Sequence, residues 1–199
     1  MDNYESIVRD NLKKLYKNLP ENLERLLPGE REQNIFRFRA FGGICQIGPD
    51  RVTIDDVPQT GAVGILITLY ALYASDATCL PTPFKAFREL PNSLPYVGAF
   101  ASHTESILVP HIQSVEENMN SVFKALNGEA GQDFEGGDFS IIVRPLPKIM
   151  LRYIFYLADE DFPATATCLI SSNALSFLPI DALADTGEYC SRKIIELVS

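Results

Sequence analysis

Two hydrophobic periods alternate along the chain, and they divide it into predicted helices and predicted strands. Apolar residues from Tyr4 to Leu19 recur at helical spacing, which predicts a first helix over residues 3–18. Pro20 suits the first turn of a second short helix. The N-terminal segment, residues 1–30, is therefore predicted to be helical. A later helix is predicted at residues 62–74, which are apolar nearly all round, as in a helix that packs on several sides.

Residues 35–55 have the period of two that is typical of strands. In the stretch "IFRFRAF" the phenylalanines alternate with the arginines, so one face of the predicted meander is apolar and the other is charged. Basic and aromatic residues also share the sheets that bind RNA. Because the whole chain has a net charge of −9, we expect a solvated arginine face over a core lined by phenylalanine.

Three more strands are predicted in the C-terminal third, at residues 139–147, 148–158 and 165–170. The middle segment is apolar on both faces, so it is expected to be the central strand of a sheet. Pro145 and Pro147 fit the end of a strand or a sheet edge, because proline cannot donate to the ladder.

Helices are predicted in three further places. Residues 107–126 form an amphipathic pattern that predicts one helix, either kinked at Pro110 or restarted there. Upstream, the stretch "PFKAFREL" predicts one short helix. The last helix has Pro179 in its first turn and carries its apolar residues on one stripe: Ile180, Leu183, Ala184, Gly187, Cys190, Ile194 and Leu197.

Together these elements predict one α+β domain over residues 1–199. We expect an antiparallel sheet of five or six strands, with the helices packed mainly on one face. Residues 127–138 are rich in turn-forming residues and are expected to be a loop. A chain of 199 residues is long enough to bury a sizeable core.

Composition narrows the class of partner. The chain has 17 basic and 26 acidic residues and a pI near 4.7, and this negative field repels phosphate backbones, so no nucleic acid is expected as a partner. Its longest apolar run, residues 62–74, is shorter than the roughly 20 residues that cross a bilayer, so no membrane partner is expected. The first residues do not resemble a signal peptide and the four cysteines form no CxxC pair, which indicates a cytoplasmic location with reduced thiols.

The motifs of common catalytic and metal sites do not occur in the sequence. His103 and His111 lie about 12 Å apart in a continuous helix, which is too far for two helical ligands of one zinc ion. The stripe position of Cys190 and the strand position of Cys168 predict buried thiols rather than nucleophiles. No catalytic residue and no metal ligand are therefore predicted, and any cofactor is unknown.

Three consecutive acidic residues, Asp159, Glu160 and Asp161, interrupt the apolar C-terminal strands. We call this segment the acidic turn. In an extended chain Asp159 and Asp161 share one face, and a pair of this kind can hold Mg²⁺ when other oxygens join it. The alternative is a solvated hairpin turn, in which charge also discourages pairing with other strand edges.

A second candidate site lies in the proline-punctuated stretch before the long amphipathic segment. Arg88, His103 and Glu105 occur there beside the aromatic residues Phe84, Phe87, Tyr96 and Phe100. A few polar groups among apolar side chains are the usual composition of a small-molecule site. The sequence therefore predicts a ligand-binding site, with the three polar residues, Phe84 and Tyr96 as the candidates. The alternative is a surface ion pair beside ordinary core aromatics.

Four blocks in the C-terminal half resemble an uncharacterised family, the domain of unknown function DUF3786. The blocks are a Gly-Asp, a Pro-Leu-Pro, an acidic segment that ends in Phe-Pro, and a "LPIDALADTG" helix start. They lie at Gly137-Asp138, Pro145–Pro147, Asp159–Pro163 and Leu178–Gly187. The upstream stretch "KAFRELPNSLPYVGAF" is also similar to the family pattern, and the resemblance covers roughly residues 40–197.

The resemblance implies a metabolic context for the protein but no specific reaction. Members of the family are known mainly from anaerobic bacteria and archaea, and some carry an added four-cysteine iron–sulfur module like that of corrinoid proteins. The four scattered cysteines of this chain do not reproduce that module. What the resemblance implies is a protein of corrinoid or one-carbon metabolism, with no established reaction.

Three functions are therefore open. The first is a non-catalytic accessory module that binds a small molecule or a partner protein of corrinoid or one-carbon metabolism. The second is a metal-dependent enzyme that uses Asp159 and Asp161, with His103 as a further candidate. The third is a purely structural interaction domain. Tightly bound metal would favour the second, whereas an apolar pocket with a polar mouth would favour the first.

Overall fold

The computed structural model describes residues 3–131 and 136–199, and its helices confirm most of the predicted helical segments. Residues 132–135 of the predicted loop lie outside the described residues. None of the described helices combines the length and the apolar character that a membrane span requires. The α-helices are α1 (Asn3–Lys17), α2 (Leu23–Leu26), α3 (Ala62–Leu72), α4 (Val97–Phe100), α5 (Ile112–Glu117), α6 (Met119–Leu126) and α7 (Ile180–Val198).

The strands confirm the α+β class and form two antiparallel sheets in the described part of the chain. The first sheet is a meander with the order β1-β2-β3-β4-β5: β1 (Glu30–Glu32), β2 (Ile35–Ala40), β3 (Gly43–Ile47), β4 (Val52–Ile54) and β5 (Val57–Pro58). The second sheet has the order β6-β10-β9-β8-β7: β6 (Lys85–Ala86), β7 (Glu129–Ala130), β8 (Phe139–Leu146), β9 (Ile149–Tyr156) and β10 (Thr165–Ile170).

The first sheet shows the alternation that the sequence predicts. In β2 the residues alternate between exposed and buried along the whole strand, and Phe36 and Phe38 are on the buried side. Arg37 and Arg39 are exposed on the opposite face. Tyr16 of α1 donates a hydrogen bond to the Ile47 carbonyl, 3.1 Å away, which fixes the first helix on this sheet.

The second sheet contains the central strand that was expected from its apolar faces. In β9, seven of the eight residues are buried, and the strand pairs with β8 on one side and β10 on the other. Pro145 lies near the end of β8, beyond the short pairing with β7 and at a register shift between Val143 and Leu146. A proline is tolerated there because the ladder needs no donor from it.

The division into two sheets was not visible in the sequence, which predicted one. The Phe41 N–H donates to the Pro145 carbonyl over 2.6 Å, and this bond joins the β2–β3 turn to the bulged end of β8. Gly42 has φ = +87°, and a Cβ there would lie 1.6 Å from the Ala125 carbonyl oxygen of α6. The two sheets therefore meet at a close backbone contact, and one continuous core includes side chains from both.

Two helical predictions need correction. The stretch "PFKAFREL" forms strand β6 and a 3-10 turn at Phe87–Glu89, because Ala86 and Lys85 pair with the edge of β10. Over residues 107–126 the restarted alternative holds, but the segment is not one helix: a 3-10 segment, Ser106–His111, precedes α5, and α6 follows separately. Pro110 lies inside that 3-10 segment, where its missing N–H and its ring disfavour α-helical bonding.

Helix α7 closes the core as its stripe predicts. Cys190 and Ile194 are fully buried, which confirms the predicted burial of Cys190, and Cys168 of β10 is also fully buried. Burial raises the pKa of the Cys190 thiol, because the charged thiolate has no solvent there. Pro179 precedes the first turn of the helix in an extended conformation.

Candidate functional site

A cleft of about 270 Å³ lies beside the edge of the second sheet. Its walls are the 3-10 turn Phe87–Glu89, helix α4, a π-helical turn at Ala101–Glu105, and strand β10. We call it the Arg88–Glu105 cleft. Its lining residues are Ala86, Phe87, Arg88, Val97, Phe100, Ala101, Glu105 and Thr167.

The cleft exists because strand β6 is short. Its two residues pair with Leu169 and Ile170, so β6 leaves the earlier part of β10 uncovered. At this open edge the Cys168 N–H, which a longer strand would bind, instead donates to Glu105 Oε1 over 2.9 Å. A carboxylate thus occupies the place of a neighbouring strand and leaves space beside Thr167.

Glu105 is partly buried and keeps one oxygen available. Burial raises the pKa of its carboxyl above the ordinary value, while the Cys168 N–H and the positive charge of Arg88 act in the opposite direction. In the described part of the chain Oε1 accepts the Cys168 bond, and Oε2 accepts no hydrogen bond. The second oxygen can therefore receive a donor from a bound molecule.

Arg88 provides the opposite charge in the lining of the cleft. Its side chain is exposed and forms neither a hydrogen bond nor an ion pair with any other described residue. The neighbouring Glu89 does not neutralise it, since Glu89 Oε2 accepts the Ala86 N–H at 2.8 Å. The guanidinium is thus free to bind an anion.

Two phenylalanines form the apolar floor. Phe87 and Phe100 stack with their ring centroids 4.2 Å apart and an angle of 8° between the planes, and each is only 3% exposed. Val97 and Ala101 extend the apolar lining. An apolar floor together with two opposite charges is the composition expected of a small-molecule site.

A buried hydrogen-bond network holds the π-helical turn in place from behind. Ser191 Oγ of α7 donates to the Thr104 carbonyl over 2.7 Å and lies 3.1 Å from the Tyr153 hydroxyl. Gly187 allows this approach, because a Cβ there would lie 2.7 Å from Phe100 Cε2. π-helical turns are rare and are often found at functional sites. The network therefore stabilises a wall of the cleft as well as the core.

The structure brings together only some of the residues predicted for the ligand site. Arg88 and Glu105 line the same cleft, whereas His103, Phe84 and Tyr96 lie outside its lining. His103 points to α7, with Nδ1 3.3 Å from Glu188 Oε2. Phe84 and Tyr96 are partly buried.

The acidic turn is organised by its own backbone. Asp159 Oδ1 accepts the N–H groups of Asp161 at 2.9 Å and of Phe162 at 2.7 Å, and the Asp159 N–H donates to the Phe162 carbonyl. Glu160 and Asp161 are exposed. Among the described residues, no group of three or more acidic, histidine or cysteine side chains is arranged to hold a metal ion.

Another family-like block has a structural role that the sequence did not reveal. Asp138 Oδ2 accepts the Leu157 N–H at 2.6 Å, and the Asp138 N–H donates to the Phe155 carbonyl at 2.9 Å. Gly137 has φ = +84°, and a Cβ there would lie 2.4 Å from Ile154 Cγ2. The Gly-Asp pair therefore closes the end of the β8–β9 pairing.

The part of the site that β10 provides could not be predicted from the sequence. Thr167 and the Cys168 N–H lie more than sixty positions from Glu105 in the chain. No local pattern in "TATCLI" distinguishes them from ordinary strand residues. The aromatic floor gave a weak signal, since Phe87 and Phe100 belong to the same aromatic-rich stretch as Arg88.

The comparisons with known proteins identify a family and no relative of known activity. The model of the family described as "Domain of unknown function (DUF3786)" matches residues 5–193. No curated protein and no solved structure matches the chain. Because the match spans nearly the whole sequence, the chain belongs to the DUF3786 family.

Proposed function

We propose that this protein is a non-catalytic binding module that holds a small molecule in the Arg88–Glu105 cleft. The observation that carries the proposal is a cleft lined by two opposite charges and a stacked aromatic pair, in which Arg88 and one oxygen of Glu105 have no protein partner among the described residues. Arg88 has no ion-pair partner in the described residues, and one oxygen of Glu105 is unoccupied. Charges placed in this way gain free energy when a ligand satisfies them.

The size of the cleft favours a small molecule over a large cofactor. Known ligand pockets of drug-sized molecules have volumes of roughly 300–1,000 Å³. At about 270 Å³, this cleft is at the lower end of that scale. A corrinoid would exceed it many times, so a role in corrinoid or one-carbon metabolism would involve a small metabolite or a partner protein.

The arrangement of Glu105 favours binding over chemistry. One of its oxygens is held by a main-chain donor of the sheet, and the turn that carries it is fixed by Ser191 from α7. A carboxylate fixed in this way is suited to recognising a donor. The magnesium-dependent alternative has weaker support, because Asp159 Oδ1 is already bound by two N–H groups of its own turn.

The cellular setting is part of the same proposal. The four cysteines form no disulfide, which supports a reducing, cytoplasmic compartment. The proposed connection to anaerobic corrinoid or one-carbon metabolism depends on the family resemblance alone.

The proposal is tested by ligand-observed NMR with a library of small carboxylic acids, amines and neutral aromatics, together with cobalamin and one-carbon metabolites. We expect hits with the wild-type protein. The substitution Ala101→Phe fills the cleft from its wall, and these hits should be lost in that variant.

The matched control is Gly98→Ala, one turn earlier on the same segment. A Cβ at Gly98 meets nothing within 4 Å, so this variant should retain every hit. Thr167→Trp blocks the cleft from the opposite wall and replaces Ala101→Phe if that variant does not fold. Hits that survive both blocking variants, or a library without hits, would show that the cleft is not a small-molecule site.

A further inference from the structure

The Arg88–Glu105 cleft is lined by one basic side chain, one acidic side chain and apolar groups, and this combination restricts the ligand. Arg88 offers hydrogen-bond donors only, so its partner must be an acceptor and is best an anion. A planar carboxylate matches the guanidinium because two parallel N–H···O bonds can form. The Arg88 end of the cleft therefore selects a carboxylate.

The Glu105 end selects the opposite group. Its Oε2 accepts no bond from the described residues, and Oε1 is held by Cys168. A ligand with an ammonium group would satisfy this oxygen and would offset the burial of its charge. A phosphate or a dicarboxylate would instead bring extra negative charge next to Glu105, which costs affinity.

The floor and the volume restrict the remainder of the ligand. Phe87 and Phe100 are almost fully buried, so a polar group above their stacked rings would lose its water without gaining a partner. Since one water occupies about 30 Å³ in the liquid, the cleft has room for about nine water-sized groups. A small amino acid such as leucine therefore fits in the cleft.

We infer that the ligand of the Arg88–Glu105 cleft is a small apolar α-amino acid, bound as its zwitterion. The carboxylate pairs with Arg88, the ammonium group donates to Glu105 Oε2, and the apolar side chain covers the stacked phenylalanines. This inference depends on the proposed function of the same cleft and adds the chemical class of its ligand.

Calorimetry with four compounds on one carbon skeleton tests the class. The probes are L-leucine, 4-methylpentanoate without the amine, 3-methylbutylamine without the carboxylate, and 2-hydroxy-4-methylpentanoate. We expect L-leucine to bind at least about tenfold more tightly than each of the other three, because each of them lacks one charge-assisted contact. Equal or tighter binding of the 2-hydroxy acid or of 4-methylpentanoate would overturn the zwitterion inference.

Two substitutions assign the contacts to their partners. Arg88→Ala should weaken L-leucine and 4-methylpentanoate by about tenfold or more, and should leave 3-methylbutylamine unchanged. Glu105→Gln keeps an acceptor for the Cys168 N–H and removes the charge, so it should weaken L-leucine and 3-methylbutylamine and leave 4-methylpentanoate unchanged. The reverse pattern, or no change in either variant, would contradict the proposed orientation.

The matched control for the charge change is Glu89→Gln. Glu89 is also acidic and also accepts a main-chain N–H, but it lies outside the cleft lining. Its substitution should leave L-leucine binding unchanged. A tenfold loss in this variant would show that the general negative charge, and not Glu105, attracts the ammonium group.

The failure of this inference differs from the failure of the proposed function. Suppose that library compounds bind the wild type and fail to bind the Ala101→Phe variant, but L-leucine does not bind. The amino-acid inference is then wrong, and the proposed function as a binding module is retained. If no compound depends on the open cleft, the proposed function fails and the amino-acid inference fails with it.

Discussion

The Arg88–Glu105 cleft and the acidic turn both place charged residues among apolar ones, but they use their charges differently. In the acidic turn, Asp159 satisfies two N–H groups of its own loop. In the cleft, Arg88 has no ion-pair partner among the described residues, and one oxygen of Glu105 is unoccupied. Asp159 is thus held by its own loop, whereas Arg88 and Oε2 of Glu105 face the cleft without a partner among the described residues.

This difference explains why a run of acidic residues in a sequence is a weak indicator of function. An aspartate in a turn is often needed by the turn itself, because its short side chain reaches the N–H groups two and three residues later. A carboxylate that reaches a distant strand, as Glu105 does, has no such local reason. The following experiments test that contrast, from the largest expected effect to the smallest.

The largest effect is expected at the support of the cleft. Ser191→Ala should lower the free energy of unfolding by about 2 kcal/mol, because the buried Thr104 carbonyl and Tyr153 hydroxyl would each lose a partner. Chemical denaturation measures the loss. The control is Ser199→Ala at the exposed end of the same helix, for which we expect a change within about 0.5 kcal/mol. Equal effects of the two substitutions would show that the buried network does not support the cleft.

The acidic turn should respond to loss of an acceptor, not to loss of charge. Asp159→Ala should destabilise the protein by about 1 kcal/mol, by analogy with the removal of a helix cap. Asp159→Asn keeps a side-chain oxygen and should recover much of that loss. Asp161→Ala, at an exposed neighbour, should be close to neutral in thermal denaturation. A large loss in the Asn variant would indicate that the negative charge itself is needed there.

A smaller effect concerns the pH dependence of stability. A carboxyl whose pKa is raised by folding binds more protons in the folded protein than in the unfolded one. Its contribution to stability therefore falls as pH rises through the window between the unfolded and the folded pKa. For Glu105 the window opens near the ordinary pKa of 4.5 and extends upward. Measured from pH 4 to 8, the melting temperature of Glu105→Gln should therefore rise relative to that of the wild type.

The comparison with Glu105→Ala separates this charge effect from the hydrogen bond. The alanine variant also loses the acceptor of the Cys168 N–H, so it should be less stable than the Gln variant at every pH. A difference between wild type and Glu105→Gln that does not change with pH would contradict the raised pKa of the carboxyl.

The smallest effect is expected at Arg88. Because this side chain is exposed and has no ion-pair partner in the described residues, Arg88→Ala should change the free energy of unfolding by less than about 0.5 kcal/mol. Urea denaturation can resolve this limit. A loss of more than 1 kcal/mol would mean that Arg88 stabilises the fold, and the contrast between the two regions would disappear.

Much of the fold could be predicted because burial has a periodic signature. The alternation in β2 predicted its exposed arginine face, and the continuous apolar run of β9 predicted a central strand. The stripe of α7 predicted the burial of Cys190. In each case the element itself determines which residues face the core, so a single segment of sequence carries the information.

The candidate site could be predicted only in part. The polar and aromatic residues around Arg88 indicated a binding site, but the pattern grouped His103 with Arg88 and Glu105. The structure instead places His103 beside Glu188 of α7. Neighbouring residues of a helical turn point in different directions, and the side each one faces depended on a π-helical turn that the sequence did not indicate.

The sequence by itself determined the classes of most elements, the buried faces of β2, β9 and α7, and some of the residues that line the cleft. Only the tertiary structure decided that the strands divide into two sheets, that β6 ends after two residues, and that Glu105 reaches the open edge of β10. These features depend on contacts between segments that lie far apart in the chain. A local period records whether a side chain is buried, but it does not record which distant backbone group it will meet.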